Sequence, residues 1–301
     1  MVPVVIFGFN RFEEFRAVLT ACSGLPVIVY LDGPRSSLDL EAQSLMLDLI
    51  RSTNHVISVH QSDINQGCKR NVMHGVRRTL EQYPSAIFLE DDCVPVSGFY
   101  EYALKALNTF HDNPKIGLVS LSNLIDSGNS NCTRSSIFIN CWGWATWSNR
   151  IALTTDVYTS SSDIVMLKKS RNFSTLGWWQ KLYWRNIFIF SMNQSSVWDF
   201  YIQFRFFVND IYSIVPPYNF VNNIGFSDKA THTKFSGSPT YTQKNYAKSM
   251  PEVMIDEIEF FDEKDYCRDQ KVSRELYQYS LQRLFRLVFG NIFRMLRRII
   301  S

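Results

Sequence analysis

The chain has 301 residues, 46% hydrophobic and 20% charged, a balance that supplies a sizeable core and excludes wholesale disorder. Its formal net charge of +3 is uneven: residues 281 to 301 hold five Arg and no acid, which leaves the rest slightly acidic and excludes a basic nucleic-acid binder. Six cysteines (Cys22, Cys68, Cys93, Cys132, Cys141, Cys267) show no C-x-x-C spacing and read as reduced, mostly buried thiols.

The chain opens with MVPVVIFGFN, which has no Lys or Arg before its apolar run and no small-residue cleavage site, so it reads as a strand and not as a signal peptide. No later stretch offers about 18 uninterrupted apolar residues, so no membrane-spanning helix is expected. The expectation is a cytosolic protein in which the N-x-[ST] sequons at Asn131, Asn172 and Asn193 are chance matches.

Asn10 is placed to cap a first helix, with Glu13 three positions on and Gly24 as a stop. VIVYLDGP (27 to 34) is a second strand ending in Asp32 and Gly33, followed by a helical pattern from about Leu38 to Ser52. HVISVH (55 to 60) is a third strand, the stretch from Asn71 to Gln82 a third helix, and SAIFLEDD (85 to 92) a fourth strand. This alternation argues for an α/β fold with a mostly parallel central sheet and helices on both faces. Ligands of such sheets bind beyond the carboxyl ends of the strands, here Asn10 and Arg11, Asp32 and Gly33, Asp63 through Arg70, and Glu90 through Asp92.

A helix from Gly98 to about His111 leads to a further strand, IGLVSLSN. From Ser135 onward the pattern changes to SIFINCWGWATW, an aromatic-rich region, and a polar loop, SDKATHTKFSGSPT. No linker separates this half. The division expected is one domain over 1–265, with a donor-binding half at 1–125 and an acceptor-side half at 126–265, followed by a tail at 266–301.

Glu90, Asp91 and Asp92 end a strand side by side, where their charges repel. A divalent cation with oxygen ligands would relieve the repulsion and leave positions open for a diphosphate; a solvated loop whose Asp caps the next helix is the other reading. GFNRFEE after the first strand lacks G-x-G-x-x-G, and no Walker A loop is present, which removes the main support for dinucleotide and P-loop readings. Lys69 and Arg70 stand beside a Gly-containing turn that opens a helix, a place for phosphate charge or for ordinary surface cations. WGWATW (142 to 147) suits either core or a stacking platform for a sugar. Asp199 in VWDFYIQF sits among aromatics, where desolvation raises a carboxyl pKa and suits it to general-base work; a hydrogen-bonded structural acid is the alternative. His232 in ATHT is a candidate metal or phosphate contact, and the remaining His show no metal-ligand spacing.

The segment LQRLFRLVFGNIFRMLRRIIS (281 to 301) gathers its Arg on one arc and its large apolar residues on the other. A basic amphipathic helix of this kind lies on an anionic membrane surface.

In their order and spacing, FNR, YLDG, NQGCKRNV, FLEDDCVPVSGFYEY, GLVSLSN, WGWATW, VWDFYIQF and NIGFSDKATHT resemble GT-A-fold glycosyltransferases, specifically bacterial family 2-like cell-surface sugar transferases distantly similar to N-acetylglucosaminyltransferase I. The resemblance runs from about Val4 to Thr233 and excludes the C-terminal helix. It implies that Glu90-Asp91-Asp92 is the family's DxD-like motif, with Asp92 the direct ligand of Mn²⁺ (or Mg²⁺). Asn10, Arg11, Asp32, Lys69, Arg70, Glu90 and Asp91 would then hold the nucleotide and phosphates of a UDP-sugar donor. Asp199 matches the catalytic base of inverting relatives, although these often carry a second acid where this chain has Phe200. Trp142, Gly143, Trp144, Trp198 and His232 would shape the sugar and acceptor pocket. The activity implied is metal-dependent, inverting transfer to a lipid-linked (undecaprenyl-type) oligosaccharide or other glycan of a bacterial surface polysaccharide such as O-antigen. The enzyme would work at the cytosolic face of the membrane, held there by residues 281–301. A non-catalytic nucleotide-sugar-binding protein and a sugar-phosphate nucleotidyltransferase are the competing readings, and GFNRFEE lacks the Gly-rich basic loop of the latter.

Overall fold

The structure is a computed structural model and describes residues 1–123, 131–150, 163–191, 197–225, 257–260 and 269. The amphipathic segment at 281–301, the loop carrying His232 and the boundary at 265/266 lie outside these residues.

The first half alternates as its apolar runs dictate: β1 (Val4–Gly8), α1 (Phe12–Ala21), β2 (Val27–Leu31), α2 (Ser37–Arg51), β3 (Val56–Gln61), α3 (Cys68–Leu80) and β4 (Ser85–Glu90). β5 (Cys93–Pro95), α4 (Phe99–Thr109), β6 (Ile116–Ser120), β7 (Arg134–Ser136) and β8 (Trp144–Trp147) follow. Then come α5 (Asp163–Met166), α6 (Arg171–Ser174), α7 (Trp178–Ser191), α8 (Asp199–Val208), β9 (Tyr212–Val215) and β10 (Val221–Asn223).

Eight strands make one sheet in the order β3-β2-β1-β4-β8-β6-β9-β7. β1 pairs in parallel with both β2 and β4, and β2 with β3. β8 runs antiparallel between β4 and β6, β9 is parallel to β6, and β7 closes the far edge antiparallel to β9. The molecule is therefore α/β with a mostly parallel central sheet. β5 and β10 form a separate antiparallel ribbon.

Both sheet faces are covered, which is why β1 and β2 are buried at every position and read as unbroken apolar runs. One face packs Val4, Ile6, Val29, Ile87 and Leu89 against α1, α2 and α4 through residues such as Phe15, Met46 and Tyr102. The other packs Val5, Phe7, Tyr30 and Phe88 against α3 and α8 through Val72, Val76, Trp198, Ile202 and Phe206. A third, aromatic cluster joins Phe138, Phe173, Trp184, Phe188 and Phe207 beside α7 and α8. Gly75 on α3 lets the helix approach the sheet, since a Cβ there would meet the Phe7 ring at 2.5 Å and Tyr30 at 3.0 Å.

Two local readings are corrected. Asn10 does not cap α1: the cap position is Arg11, with no side-chain cap hydrogen bond, because the Asn10 amide is held by Asp39 on α2. Helix α3 begins at Cys68, not near Asn71, and its cap is Gly67 at φ 83°, a backbone that only glycine adopts without strain. Cys22, Cys68, Cys93, Cys132 and Cys141 are free thiols, and burial pushes Cys22 up to about 12, as expected of inert interior cysteines.

Candidate active site at the sheet rim

The strand order reverses beside β1: the chain builds outward through β2 and β3 and then returns to place β4 on the opposite side. Such a reversal opens a crevice at the carboxyl ends of the two central strands. Phe9 to Arg11 leave β1 there, and Glu90 to Asp92 leave β4.

Glu90 pairs with Phe7 in the sheet register. Alternation places it on the same face as Ala86 and Phe88, toward α3 and α8. Asp91 and Asp92 occupy the turn to β5, where the backbone is released from alternation and both carboxylates reach one cation. Arg11 Nη2 meets Asp91 Oδ1 at 3.0 Å and Nη1 meets Asp92 Oδ2 at 2.8 Å. The Phe9 N–H also donates to Asp91 Oδ2 at 3.3 Å. Three acids against one guanidinium leave an excess of negative charge. Burial, then Asp92, Asp91 and Asp199, push the Glu90 carboxyl up to about 8. Burial also raises Asp91 against the pull of Arg11. The ion pair to Arg11 favours the ionised form of Asp91, and the Glu90 carboxylate receives no hydrogen bond among the described residues.

Asp32, at the end of β2, is 4% exposed and fully engaged. Its Oδ1 accepts from the N–H of Gly33 (2.9 Å) and Gln66 (2.8 Å), and its Oδ2 from Asn65 Nδ2 (3.0 Å) and the N–H of Gly67 (2.9 Å). All four lone-pair sites are thereby used. In this arrangement Asp32 shapes the loop that opens α3. Gln43, buried on α2, ties the same rim together by donating to Phe9 O (3.0 Å) and Asp32 O (2.8 Å). Asn10 donates to Asp39, which also accepts from Arg35, whose guanidinium lies 4.4 Å from the centre of the Phe9 ring. Asp39 and Gln43 are rim residues that sequence reasoning missed, since nothing distinguishes them from the exposed polar positions of α2.

Lys69, in the first turn of α3, lies over the Tyr201 ring and donates to its hydroxyl, so it links α3 to α8. Arg70, the next residue, is exposed and turns away from that contact. Asp199 opens α8, and its Oδ1 accepts from the Phe200 N–H at 3.0 Å. Burial raises its pKa, opposed by that hydrogen bond. Its negative charge contributes to raising Glu90, Cys68 and Cys141.

The aromatic pocket is only partly as expected. Trp144 and Trp198 are 2% and 5% exposed and belong to the core under α8, with Trp144 4.6 Å from Phe88 and 5.8 Å from Trp198 between ring centres. A face buried against protein cannot stack on a sugar, so their expected role as a platform is corrected to packing. Trp142 stays partly open beside the first core face, and Ser122 Oγ holds its carbonyl at 2.8 Å. Gly143 adopts φ 72° and is closely packed by Val221, Leu89 and Leu121, so it serves the turn into β8.

Among the described residues no group of three or more His, Cys, Asp or Glu is arranged to hold a metal. Asp92 and the unpartnered Glu90 nonetheless fit a hard cation, because Mg²⁺ and similar ions are bound through one or two carboxylates with water and substrate phosphates completing the shell. The Ile224 N–H donates to the Asp92 carbonyl at 2.8 Å, which sets the chain after β10 against this acid.

No family model matches the chain, and no curated protein matches it. Solved structures with a similar arrangement include the mannosyltransferase PcManGT from Pyrobaculum calidifontis in complex with GDP-Man and Mn²⁺ (11% identity, TM-score 0.39, 69% of each chain covered). S. aureus TarS 1-349 matches at 13% identity and TM-score 0.35, over 53% of this chain and 50% of that one. GalNAc-T7 with UDP, GalNAc and Mn²⁺ matches at 8% identity and TM-score 0.44, over 72% of this chain and 42% of that one. The chain thus spans half or less of the last two, and at these scores the likeness carries no argument about its chemistry.

Proposed function

We propose that the protein is a metal-dependent, inverting glycosyltransferase of GT-A type that moves a sugar from a nucleotide-sugar, a UDP-sugar by family resemblance, to a glycan acceptor. The observation that carries this reading is the run of Glu90, Asp91 and Asp92 at the strand-order reversal, with Arg11 bound to two of them. So much negative charge in a half-buried crevice suits a site that receives a cation together with a diphosphate.

In this reading Asp92 and Glu90 hold the divalent ion, Mn²⁺ or Mg²⁺, and Arg11 lies at hand for the phosphates. The ion supplies Lewis-acid stabilisation of charge on the departing nucleoside diphosphate. Asp199, made more basic by burial, takes the proton of an acceptor hydroxyl. The oxygen bonds to the anomeric carbon as the bond from that carbon to the diphosphate oxygen breaks, and configuration inverts. Asp32 and Gln43 keep the donor-side rim in shape. The acceptor is assigned by resemblance to a lipid-linked oligosaccharide of bacterial surface polysaccharide synthesis, reached from the cytosolic side with residues 281–301 on the membrane.

Calorimetric binding of UDP, GDP and CMP, with Mn²⁺ or with EDTA, tests the donor site on the wild type and on Asp92→Ala. Metal-dependent binding of one nucleotide, lost in the variant, is expected; binding indifferent to metal and variant removes the reading. Asp199→Asn separates catalysis from mere binding: nucleotide affinity should persist while turnover falls by about 100-fold or more.

A further inference from the structure

Helix α7 buries one side against the aromatic cluster through Trp184 and Phe188, and its other side is open. Trp178 and Trp179 are 68% and 54% exposed, and Leu182 and Ile189 are exposed with them. At about 100° per residue, Trp178, Leu182, Arg185 and Ile189 form one stripe along the helix, with Trp179 and Asn186 on its flank. Val165 and Met166 of the neighbouring α5 are exposed as well. Leaving large apolar side chains in water is costly, so a protein that leaves this many on one side offers them to something else.

The charge around the face identifies what that is. From Asp163 to Ser191 the chain has five cations (Lys168, Lys169, Arg171, Lys181, Arg185) against one acid, Asp163. Tryptophans next to aliphatic side chains, in a stretch rich in Lys and Arg, are the composition of a surface that enters the interfacial zone of a bilayer, and cations near an anionic lipid surface strengthen that binding. A protein partner would be served by the apolar stripe, yet a stretch with five cations and one acid is better matched by anionic lipid headgroups.

We propose that the exposed face of α7, with Val165 and Met166, docks this protein on an anionic membrane surface, independently of residues 281–301 and of the transferase reading. The C-terminal end of α7 carries Ser191, whose carbonyl accepts from the Tyr201 hydroxyl at 3.3 Å, two residues from Asp199. This buried contact ties the far end of α7 to α8, the helix that bears Asp199.

The test uses the full chain with vesicles of phosphatidylcholine alone or mixed equally with phosphatidylglycerol. The wild type is expected to sediment with the anionic vesicles and to lose intrinsic fluorescence when their acyl chains are brominated, because Trp178 and Trp179 would enter the quenched zone. Trp178→Ser with Leu182→Gln and Ile189→Gln should lower partition by about tenfold or more and abolish the quenching, while a cooperative thermal transition shows that the variant is folded. Deleting residues 281–301 should weaken binding but leave the quenching of the bound fraction. Unchanged partition and quenching in the triple variant would overturn the proposal. So would a wild-type dimer in sedimentation that the triple variant dissolves, since the face would then belong to a second copy.

Discussion

Gly225 lies against the carboxylate of Asp92: a Cβ at this glycine would stand 2.1 Å from Asp92 Oδ2 and 2.8 Å from its Cγ. No side chain fits without moving the acid. Gly225→Ala should therefore weaken metal-dependent nucleotide binding by about tenfold or more, because displaced ligand groups lose affinity steeply. Calorimetry reads the effect, and a melting temperature close to wild type would show that the change is local. Unaltered affinity would mean that Asp92 is not a ligand.

Arg11 is the cation that holds Asp91 and Asp92. Replacing it with Met removes one partner from a largely buried cluster, a change that costs about 3 kcal/mol. Urea unfolding should show that loss at neutral pH and a smaller one at pH 5, where protons neutralise the stranded acids. A loss that does not depend on pH would place the role of Arg11 in packing.

The Glu90 carboxyl, raised from 4.5 to about 8, binds its proton more tightly in the folded state than in the unfolded one. Its contribution to stability is therefore fully present below about pH 4.5, and it is lost as pH rises toward 8. The melting temperature of the metal-free protein should fall across that window, and Glu90→Gln should flatten the fall. A divalent ion competes with the same proton, so its affinity should rise from pH 6 to 8 in titrations of the wild type. A flat profile would show that Glu90 takes no part.

Asp32→Ala would strand three backbone N–H groups, of Gly33, Gln66 and Gly67, and take one of two partners from the Asn65 amide, which keeps the Gly33 carbonyl. Unpartnered donors cost about 1 to 3 kcal/mol, so unfolding experiments should show a loss of that order, with nucleotide affinity falling as the loop before α3 reorganises. Reduced affinity with unchanged stability would instead make Asp32 a direct ligand.

The first half of the fold was legible because its strands are covered on both faces: Val4–Gly8 and Val27–Leu31 read as unbroken apolar runs. The exposed side of β3 shows in its alternation, with Ile57, Val59 and Gln61 outward. The acids at the end of β4 were legible as a site because their repulsion has no purpose in a core. What could not be read were long-range choices. Nothing local tells that WATW enters the sheet antiparallel between β4 and β6, nor that Trp144 turns into the core while Trp142 stays at its edge. The four donors of Asp32 include three that stand 33 to 35 residues further along the chain, and Asn10 looked like a helix cap because its partner Asp39 is 29 residues away.

The position of β8 makes the two halves of the chain one object. β4, which carries the acids, is flanked by β1 from the first half and by β8 from the second, so neither half owns the strand at the centre of the site. A fragment ending before Trp144 would present β4 as a raw edge, with the unpaired amides and carbonyls that invite pairing with another chain. The two halves are thus inherited together, because the strand that supports the carboxylates is also the one on which the second half is built.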